Sequence, residues 1–261
     1  MKLSLSNWVF YRRPLDDCIG LVKKLGFKNI EFNMICVENK AKESVYKVKE
    51  LINHYGLNCL SVHSAGLYVK NEKEVEKAVF YGKTSIDFAS ELSAPILVVH
   101  SYVSRKISKN LRKKFLKQIF LELEDYADKS DVKLALENLS LDSNGFGRSV
   151  SEVEEILRVI KIKKLGITLD FCHAEEIGQT YNFLENFKDK IVNIHLSNRK
   201  HGNFNRKDSN LEAFLKKLLK INYKGPLTLE PNPRCKFGGI FKTKTVIEKV
   251  LEEFNQNYLN S

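Results

Sequence analysis

The chain lacks the features that mark membrane, secreted and multidomain proteins. None of its apolar runs is long enough to cross a bilayer, so we expect no membrane partner. The amino terminus, MKLSLSNWVFYRRP, has no charged head followed by a long apolar stretch, as a secretory signal would, and we therefore expect a cytoplasmic protein. No low-complexity tract, linker or shift in composition divides the sequence. These absences predict a single domain over residues 1–261.

Cysteines are few and unpaired in their spacing. The five are odd in number and scattered: Cys18, Cys36, Cys59, Cys172 and Cys235. No pair has the spacing of a zinc knuckle or of a disulfide framework. We therefore expect free thiols.

Acidic residues are outnumbered, with 32 Asp and Glu against 43 Lys and Arg and a net charge of +11. This balance favours anionic partners, either nucleic acid or a phosphorylated metabolite. A generally lysine-rich composition explains it equally well, because the lysines are spread along predicted helices. The densest basic segment, residues 104–118, carries Leu111 and Phe115 at helical spacing. It is predicted to be the solvated face of a helix rather than a nucleic-acid site.

Eight short β-type runs alternate with segments whose apolar residues recur every three or four positions. The runs cover residues 3–10, 29–33, 58–64, 95–101, 133–139, 165–170, 191–197 and 226–231. This alternation predicts parallel strands, and eight units predict a single (β/α)8 TIM barrel closed by a helix over 242–259. An open doubly wound sheet is the competing fold. It is disfavoured because no glycine-rich phosphate turn follows the first run.

Metal-ligand residue types are concentrated at the predicted carboxyl ends of the strands, which meet on one face of a parallel barrel. Of the six histidines, only His54 falls elsewhere, on a predicted helix; the others are His63, His100, His173, His195 and His201. Glu137, Asp170 and Glu230 close apolar strands, where a buried carboxylate is costly unless it is paired or bound to a metal.

The three carboxylates, together with one imidazole, form a candidate metal site. Hard oxygen donors from Glu137, Asp170 and Glu230, together with the nitrogen of His195, suit Mn²⁺, Mg²⁺, Co²⁺ or Zn²⁺. A network of buried ion pairs without a metal is the alternative. A single histidine on an apolar strand is more commonly a core residue than a ligand, so the carboxylates carry the prediction.

Six short motifs, in chain order and spread over most of the chain, resemble one superfamily. They are VHS (62–64), VVHS (98–101), LALEN (134–138), GITLDFCH (166–173), VNIHLSN (192–198) and GPLTLEP (225–231). Together they are similar to the xylose isomerase-like TIM barrels, which include sugar isomerases, sugar epimerases and abasic-site nucleases of the endonuclease IV type (AP endonuclease family 2). The resemblance implies that Glu137, Asp170, His195 and Glu230 bind a divalent metal.

For an isomerase or epimerase, the resemblance implies that Glu137 and Glu230 move the proton and that His173 contacts substrate oxygens. The substrate would be a small sugar or sugar phosphate, and the proton would leave a carbon next to a metal-chelated carbonyl. We expect substrate contacts from His63, His100, Arg148 and His201, with Arg199 and Lys200 as further candidates for binding a phosphate.

The alternative is a zinc-dependent abasic-site endonuclease or phosphodiesterase, whose partner would be DNA with an abasic site. In that branch His63 and His100 would join Glu137 around an additional zinc ion, and His173 and His201 would help to hold a third. Arg199 stands where these nucleases carry an aspartate, and arginine cannot ligate a metal.

Two further observations bear on the choice. Epimerase-like members commonly carry an aspartate where Asn198 stands, so the chain departs from that branch as well. A binding or scaffold protein that kept the barrel without its chemistry is a third hypothesis. The intact carboxylates at positions 137, 170 and 230 argue against it, because loss of function would free them to become apolar.

Overall fold

Eight parallel strands form a closed barrel in the order in which they occur along the chain, which confirms the predicted (β/α)8 fold. The computed structural model describes residues 1–37, 40–65, 67–162, 164–205 and 208–259. The strands are β1 (Lys2–Ser6), β2 (Asn29–Asn33), β3 (Asn58–His63), β4 (Ile96–Val99), β5 (Lys133–Glu137), β6 (Gly166–Asp170), β7 (Ile191–Leu196) and β8 (Pro226–Leu229).

Helices surround the barrel and connect successive strands. In the described part of the chain they are α1 (Leu15–Lys24), α2 (Ala41–His54), α3 (Lys73–Glu91), α4 (Lys109–Ala127), α5 (Val150–Ile160), α6 (Phe171–Glu176), α7 (Thr180–Phe187), α8 (Ser209–Lys220) and α9 (Phe237–Leu259). None of the helices among these residues is long and apolar enough to cross a membrane. All five cysteines are free thiols, as predicted.

The basic segment at 104–118 belongs to α4, whose amino terminus is capped by Ser108. Its apolar side packs inward through Phe115 and Ile119, which are buried, while Leu111 is partly exposed. The lysines of this segment are exposed, as the periodicity predicts, whereas Arg105 pairs with Glu152 and Arg112 packs over the ring of Phe146.

The first predicted strand is too long. β1 ends at Ser6, and residues 7–10 form a short 3-10 helix instead of continuing the strand. Asn7 explains the turn, because its side-chain oxygen accepts a hydrogen bond from the backbone N–H of Asn33 at the end of β2 (2.7 Å). This turn places Trp8 at the carboxyl-terminal mouth of the barrel.

The interior of the barrel is unusually polar below that mouth. Neighbouring strands pair residues that are all fully buried: Ser4 with Thr228, Glu31 with Ser61, and Thr168 with Asn193. The large apolar core lies instead between the strands and the helices. A buried carboxylate such as Glu31 is therefore surrounded by hydroxyl and amide groups rather than by hydrocarbon.

Candidate metal centre

The four predicted metal ligands lie together at the carboxyl ends of four adjacent strands. Glu137 and Asp170 end β5 and β6, His195 lies in β7, and Glu230 directly follows β8. One ligand atom from each of them lies within 4.8 Å of those of the other three. All four side chains are buried, with at most 5% of Glu230 exposed. The barrel topology thus gathers residues that are up to 93 positions apart in sequence.

His195 connects this group to a fourth carboxylate. Its Nδ1 lies 3.2 Å from an oxygen of Glu230 and 3.3 Å from one of Glu137, while its Nε2 lies 2.9 Å from Oε2 of Glu31. If a metal ion displaced the Nδ1 proton, the proton on Nε2 would stay in its hydrogen bond to Glu31 and the Nδ1 lone pair would be free to act as a ligand. Histidine ligands of metals in proteins are commonly oriented in this way.

Glu31 was not predicted from the sequence. It lies in the middle of β2, and its Oε2 also accepts a hydrogen bond from Ser61 (2.7 Å) and one from Asn193 (3.4 Å). The sequence signal was a charged residue inside the apolar run NIEFN, which is costly to bury without a partner. Its partner, His195, lies 164 residues away, and only the closed barrel brings the two together.

The chemistry of the donor set fits a divalent cation. Asp170 Oδ1 accepts the backbone N–H of His173 (2.7 Å), but the buried Oδ2 has no hydrogen-bond partner among the described residues. Burial raises the pKa of Asp170. Burial also opposes ionisation of Glu230, but the charge of His195 outweighs it and lowers the pKa of Glu230 to about 2. A cation held at Oδ2 would offset the repulsion between these carboxylates.

A second group adjoins the first through Glu137. The Nε2 atoms of His63 and His100 lie 3.1 Å and 3.3 Å from Glu137 Oε2, while Oε1 of the same carboxylate faces His195. Burial disfavours the charged imidazole of His63, but the hydrogen bond to Glu137 and the surrounding carboxylates raise its pKa to about 9. Glu137 therefore joins two sets of ligand-type residues, one through each oxygen.

A third group forms around His173 and His201, whose Nε2 atoms are 3.0 Å apart. Nδ1 of His173 lies 2.8 Å from the carbonyl oxygen of Asn138, and Nδ1 of His201 lies 3.1 Å from that of Glu230. Protons on both Nδ1 atoms leave two lone pairs facing each other, which is the arrangement of two imidazoles ready to share a cation. Together with Asp170 they form another possible ligand set.

The loop after β7 holds His201 in an unusual backbone conformation. Lys200 and His201 have φ values of 56° and 52°, in the left-handed region that residues other than glycine rarely adopt. The edge of the Trp8 ring packs against His201, with 5.4 Å between ring centroids. Strain of this kind persists only where the surroundings fix it, and it is common at functional sites.

A cavity of about 610 Å³ opens above the three groups. Its floor includes Glu137 and Glu230, four histidines (His63, His100, His173 and His201) border it, and Trp8, Met34, Ile35 and Leu67 form an apolar wall. Tyr68 also lines the cavity, where its ring stacks on His100 at 6.1 Å with an interplanar angle of 6°. The sequence did not single out Trp8, in the 3-10 helix after β1, or Tyr68, in the loop after β3, because neither belongs to a recognisable motif.

Of the residues predicted to meet a substrate phosphate, His201 lines this cavity, whereas Arg148, Arg199 and Lys200 do not. The guanidinium of Arg148 donates to the carbonyl oxygen of Ser143, and its backbone N–H donates to Glu152, so this arginine is held within its own loop. Arg199 and Lys200 are exposed on the loop after β7, outside the cavity lining. Of the predicted substrate contacts, the structure brings together His63, His100 and His201, but not Arg148.

Comparisons with known proteins find an uncharacterised protein, a probable endonuclease and an epimerase-like structure that are similar to this chain. An uncharacterised protein of Methanocaldococcus jannaschii is 24% identical over 98% of this chain and 91% of its own length. A probable endonuclease 4 of Aquifex aeolicus is 32% identical, but the match covers only 51% of this chain and 49% of that protein. Among solved structures, a D-tagatose 3-epimerase-like protein has a TM-score of 0.82 and 22% identity, and the match covers 99% of this chain and 100% of that one.

A family model also matches most of the chain. The model describes the xylose isomerase-like TIM barrels, and it matches residues 19–255, which include all the strands from β2 to β8 and every residue of the three groups. The chain therefore belongs to the xylose isomerase-like TIM barrel family.

Proposed function

We propose that this protein is a divalent-metal-dependent isomerase or epimerase that acts on a sugar or sugar phosphate. The observation that carries the proposal is the pair of glutamates on the cavity floor. Glu137 and Glu230 each place one oxygen within 3.3 Å of His195 Nδ1, and both line a cavity of about 610 Å³. Such a cavity has the size of a small-molecule site rather than of an open groove.

Glu137, Asp170, His195 and Glu230 would hold the metal. When bound, a divalent ion polarises a carbonyl and makes the neighbouring C–H group more acidic. The residues of the chain supply the remaining requirements, which are a base, an acid and groups that orient the substrate.

The two glutamates differ in how closely histidine side chains approach the carboxylate oxygen that does not face His195. Oε2 of Glu137 lies against both His63 and His100, at 3.1 Å and 3.3 Å. Oε1 of Glu230 has its nearest ion-pair contact, with His63, at 3.9 Å. We therefore assign removal of the substrate proton to Glu230, because no closer imidazole is seen at its Oε1 than His63 at 3.9 Å. We assign return of the proton to Glu137, because the neighbouring imidazoles of His63 and His100 can supply a proton to it.

Histidines on the other side of the cavity would orient the substrate. His173 and His201 present their Nε2 atoms to each other at 3.0 Å, with both Nδ1 atoms bonded elsewhere. A substrate hydroxyl could donate a hydrogen bond to the lone pair of either Nε2 atom. The apolar wall around Trp8 and Met34 would then cover the C–H face of a sugar and exclude water.

A metal-dependent phosphodiesterase acting on abasic DNA is the second candidate, and a specific observation favours it. The pair His63 and His100 meets Glu137, and the pair His173 and His201 meets Asp170, so two further ligand sets flank the four-residue centre. Clustered metal ions are suited to activating water and stabilising a leaving oxygen. The partial likeness to endonuclease 4 agrees with this candidate, whereas Arg199, where that branch carries an aspartate, does not.

One experiment separates the two candidates. Bound metal is counted per chain, and the protein is then offered a panel of ketoses in D₂O and an oligonucleotide with one abasic site. We expect solvent deuterium at a single sugar carbon and an intact oligonucleotide. Incision of the oligonucleotide without exchange at any sugar would contradict the proposal.

A further inference from the structure

Positive charge is scarce around the cavity, although the whole chain carries a net charge of +11. The cavity floor is acidic, with Glu137 and Glu230, and the surrounding titratable groups are mostly histidines. Among the described residues, a single lysine and no arginine line this cavity. The lysine is Lys77, on the second turn of α3.

Lys77 has no acidic partner among the residues that the structure describes. No ion pair joins it to a carboxylate of the described residues within 4.0 Å, unlike Lys83 one and a half turns later, which pairs with Glu122 at 3.1 Å. Its Nζ lies instead 5.6 Å from the ring centroid of Tyr81, another residue of the cavity lining. This cation–π contact places the exposed Lys77 side chain beside a ring that also lines the cavity.

A smaller cavity of about 240 Å³ adjoins the main one on the same side. The two share Met34, Ala65 and Tyr81 as lining residues. The smaller cavity is lined by two more lysines, Lys40 and Lys42, and by one acid, Glu43.

Hydroxyl groups and an aromatic ring complete this smaller cavity. Thr84 and Ser85 line it, and Nζ of Lys42 lies 5.6 Å from the centroid of Phe80. Among the described residues that line this flank, three lysines and one glutamate give a net positive charge, in contrast to the acidic floor.

From this layout we infer that the substrate carries a phosphate group, and that Lys77, with Lys40 and Lys42 beside it, forms the subsite that binds it. The inference rests on the proposed function and narrows its substrate class. The reacting carbon would lie over Glu137 and Glu230, and the phosphate would lie at the α3 side of the cavity. Lysine is a common phosphate ligand that acts as a point charge. A hydrogen bond from its ammonium group to a phosphate oxygen is stronger than one between two neutral groups.

The test compares wild-type protein with Lys77→Gln and with a matched control, Lys73→Gln. Lys73 begins the same helix and is exposed, and it lies outside both cavities. The first arm needs no turnover, since ³¹P NMR follows the titration of inorganic phosphate with metal-free protein. We expect Lys77→Gln to weaken phosphate binding by about tenfold or more, as for loss of one charge-assisted hydrogen bond, and Lys73→Gln to leave it unchanged. Equal binding by all three proteins would overturn the inference.

The second arm measures isotope exchange in D₂O with paired substrates, each ketose phosphate against the corresponding free ketose. We expect the phosphorylated member to be preferred by about 10- to 100-fold in kcat/KM, and Lys77→Gln to remove that preference through KM while kcat is retained. A wild-type preference for the free ketose would overturn the inference.

Failure of the proposed function would give a different result from failure of the phosphate inference. If no sugar exchanges but phosphate binding still depends on Lys77, the isomerase proposal fails and the anion subsite stands. If Lys77→Gln instead weakens binding of an abasic-site oligonucleotide and has no effect on inorganic phosphate, the lysines serve a nucleic acid. That result would contradict the assignment to a phosphorylated small molecule.

Discussion

Oε2 of Glu31 lies 2.9 Å from Nε2 of His195, so a carboxylate on β2 fixes the imidazole of a predicted metal ligand on β7. The contact is completely buried on both sides. It holds a proton on Nε2 and leaves Nδ1 directed at Glu137, Asp170 and Glu230. The candidate metal centre therefore comprises four predicted ligands and a fifth residue that orients one of them.

Replacing Glu31 with glutamine should lower metal affinity by about 10- to 100-fold, because a neutral amide accepts the His195 proton more weakly and can present N–H instead of oxygen. Competition with a coloured chelator measures the change. Glu91→Gln is the control, since that carboxylate pairs with Lys49 at the surface. Unchanged affinity in Glu31→Gln would contradict the orienting role of Glu31.

Glu230→Gln should abolish isotope exchange while the protein stays folded, because the variant keeps the shape of the side chain and loses the proposed base. Circular dichroism and thermal unfolding check the fold, and exchange in D₂O checks the chemistry. Full activity of this variant would contradict both the base assignment and the placement of Glu230 at the centre.

The sequence predicted the convergence of Glu137, Asp170, His195 and Glu230 because a parallel barrel leaves little freedom. Once the strands are recognised, their carboxyl ends must meet on one face. The contribution of Glu31 could not be predicted in the same way. A residue in the middle of a strand faces either the interior or the helices, and its side is set by a register that the sequence of β2 alone does not specify.

Loop residues were the least predictable. Arg148 follows a strand end and was expected to bind substrate, yet its local hydrogen bonds to Ser143 and Glu152 hold it within its own loop.

Asp170 was expected to act only as a ligand, but its Oδ1 also caps α6 by accepting the backbone N–H of His173. That cap explains why α6 begins directly after β6, where the spacing of apolar residues gave no indication of a helix.

Metal stoichiometry should distinguish one centre from several. If the proposed isomerase has one metal per chain at the four-residue centre, the double variant His63→Ala/His100→Ala should keep that count, while its kcat falls because Glu137 loses the imidazoles that resupply its proton. If the histidines hold a second ion, the same variant should lose about one metal per chain. Plasma emission spectrometry on dialysed protein gives the count, and His54→Ala, on α2 outside the three groups, is the matched control.

The stability of the metal-free protein should fall as the pH rises above neutrality. The pKa of His63 is raised to about 9 by Glu137 and the other carboxylates, against about 6.5 for an unfolded histidine. A raised pKa means that the folded state holds the proton more tightly. The stabilisation is therefore complete below pH 6.5 and is lost by about pH 9, with an upper limit of about 3 kcal/mol. Urea unfolding of chelator-treated protein between pH 6 and 9.5 measures the slope. His63→Gln should flatten it, and an unchanged slope in that variant would assign the effect to other groups.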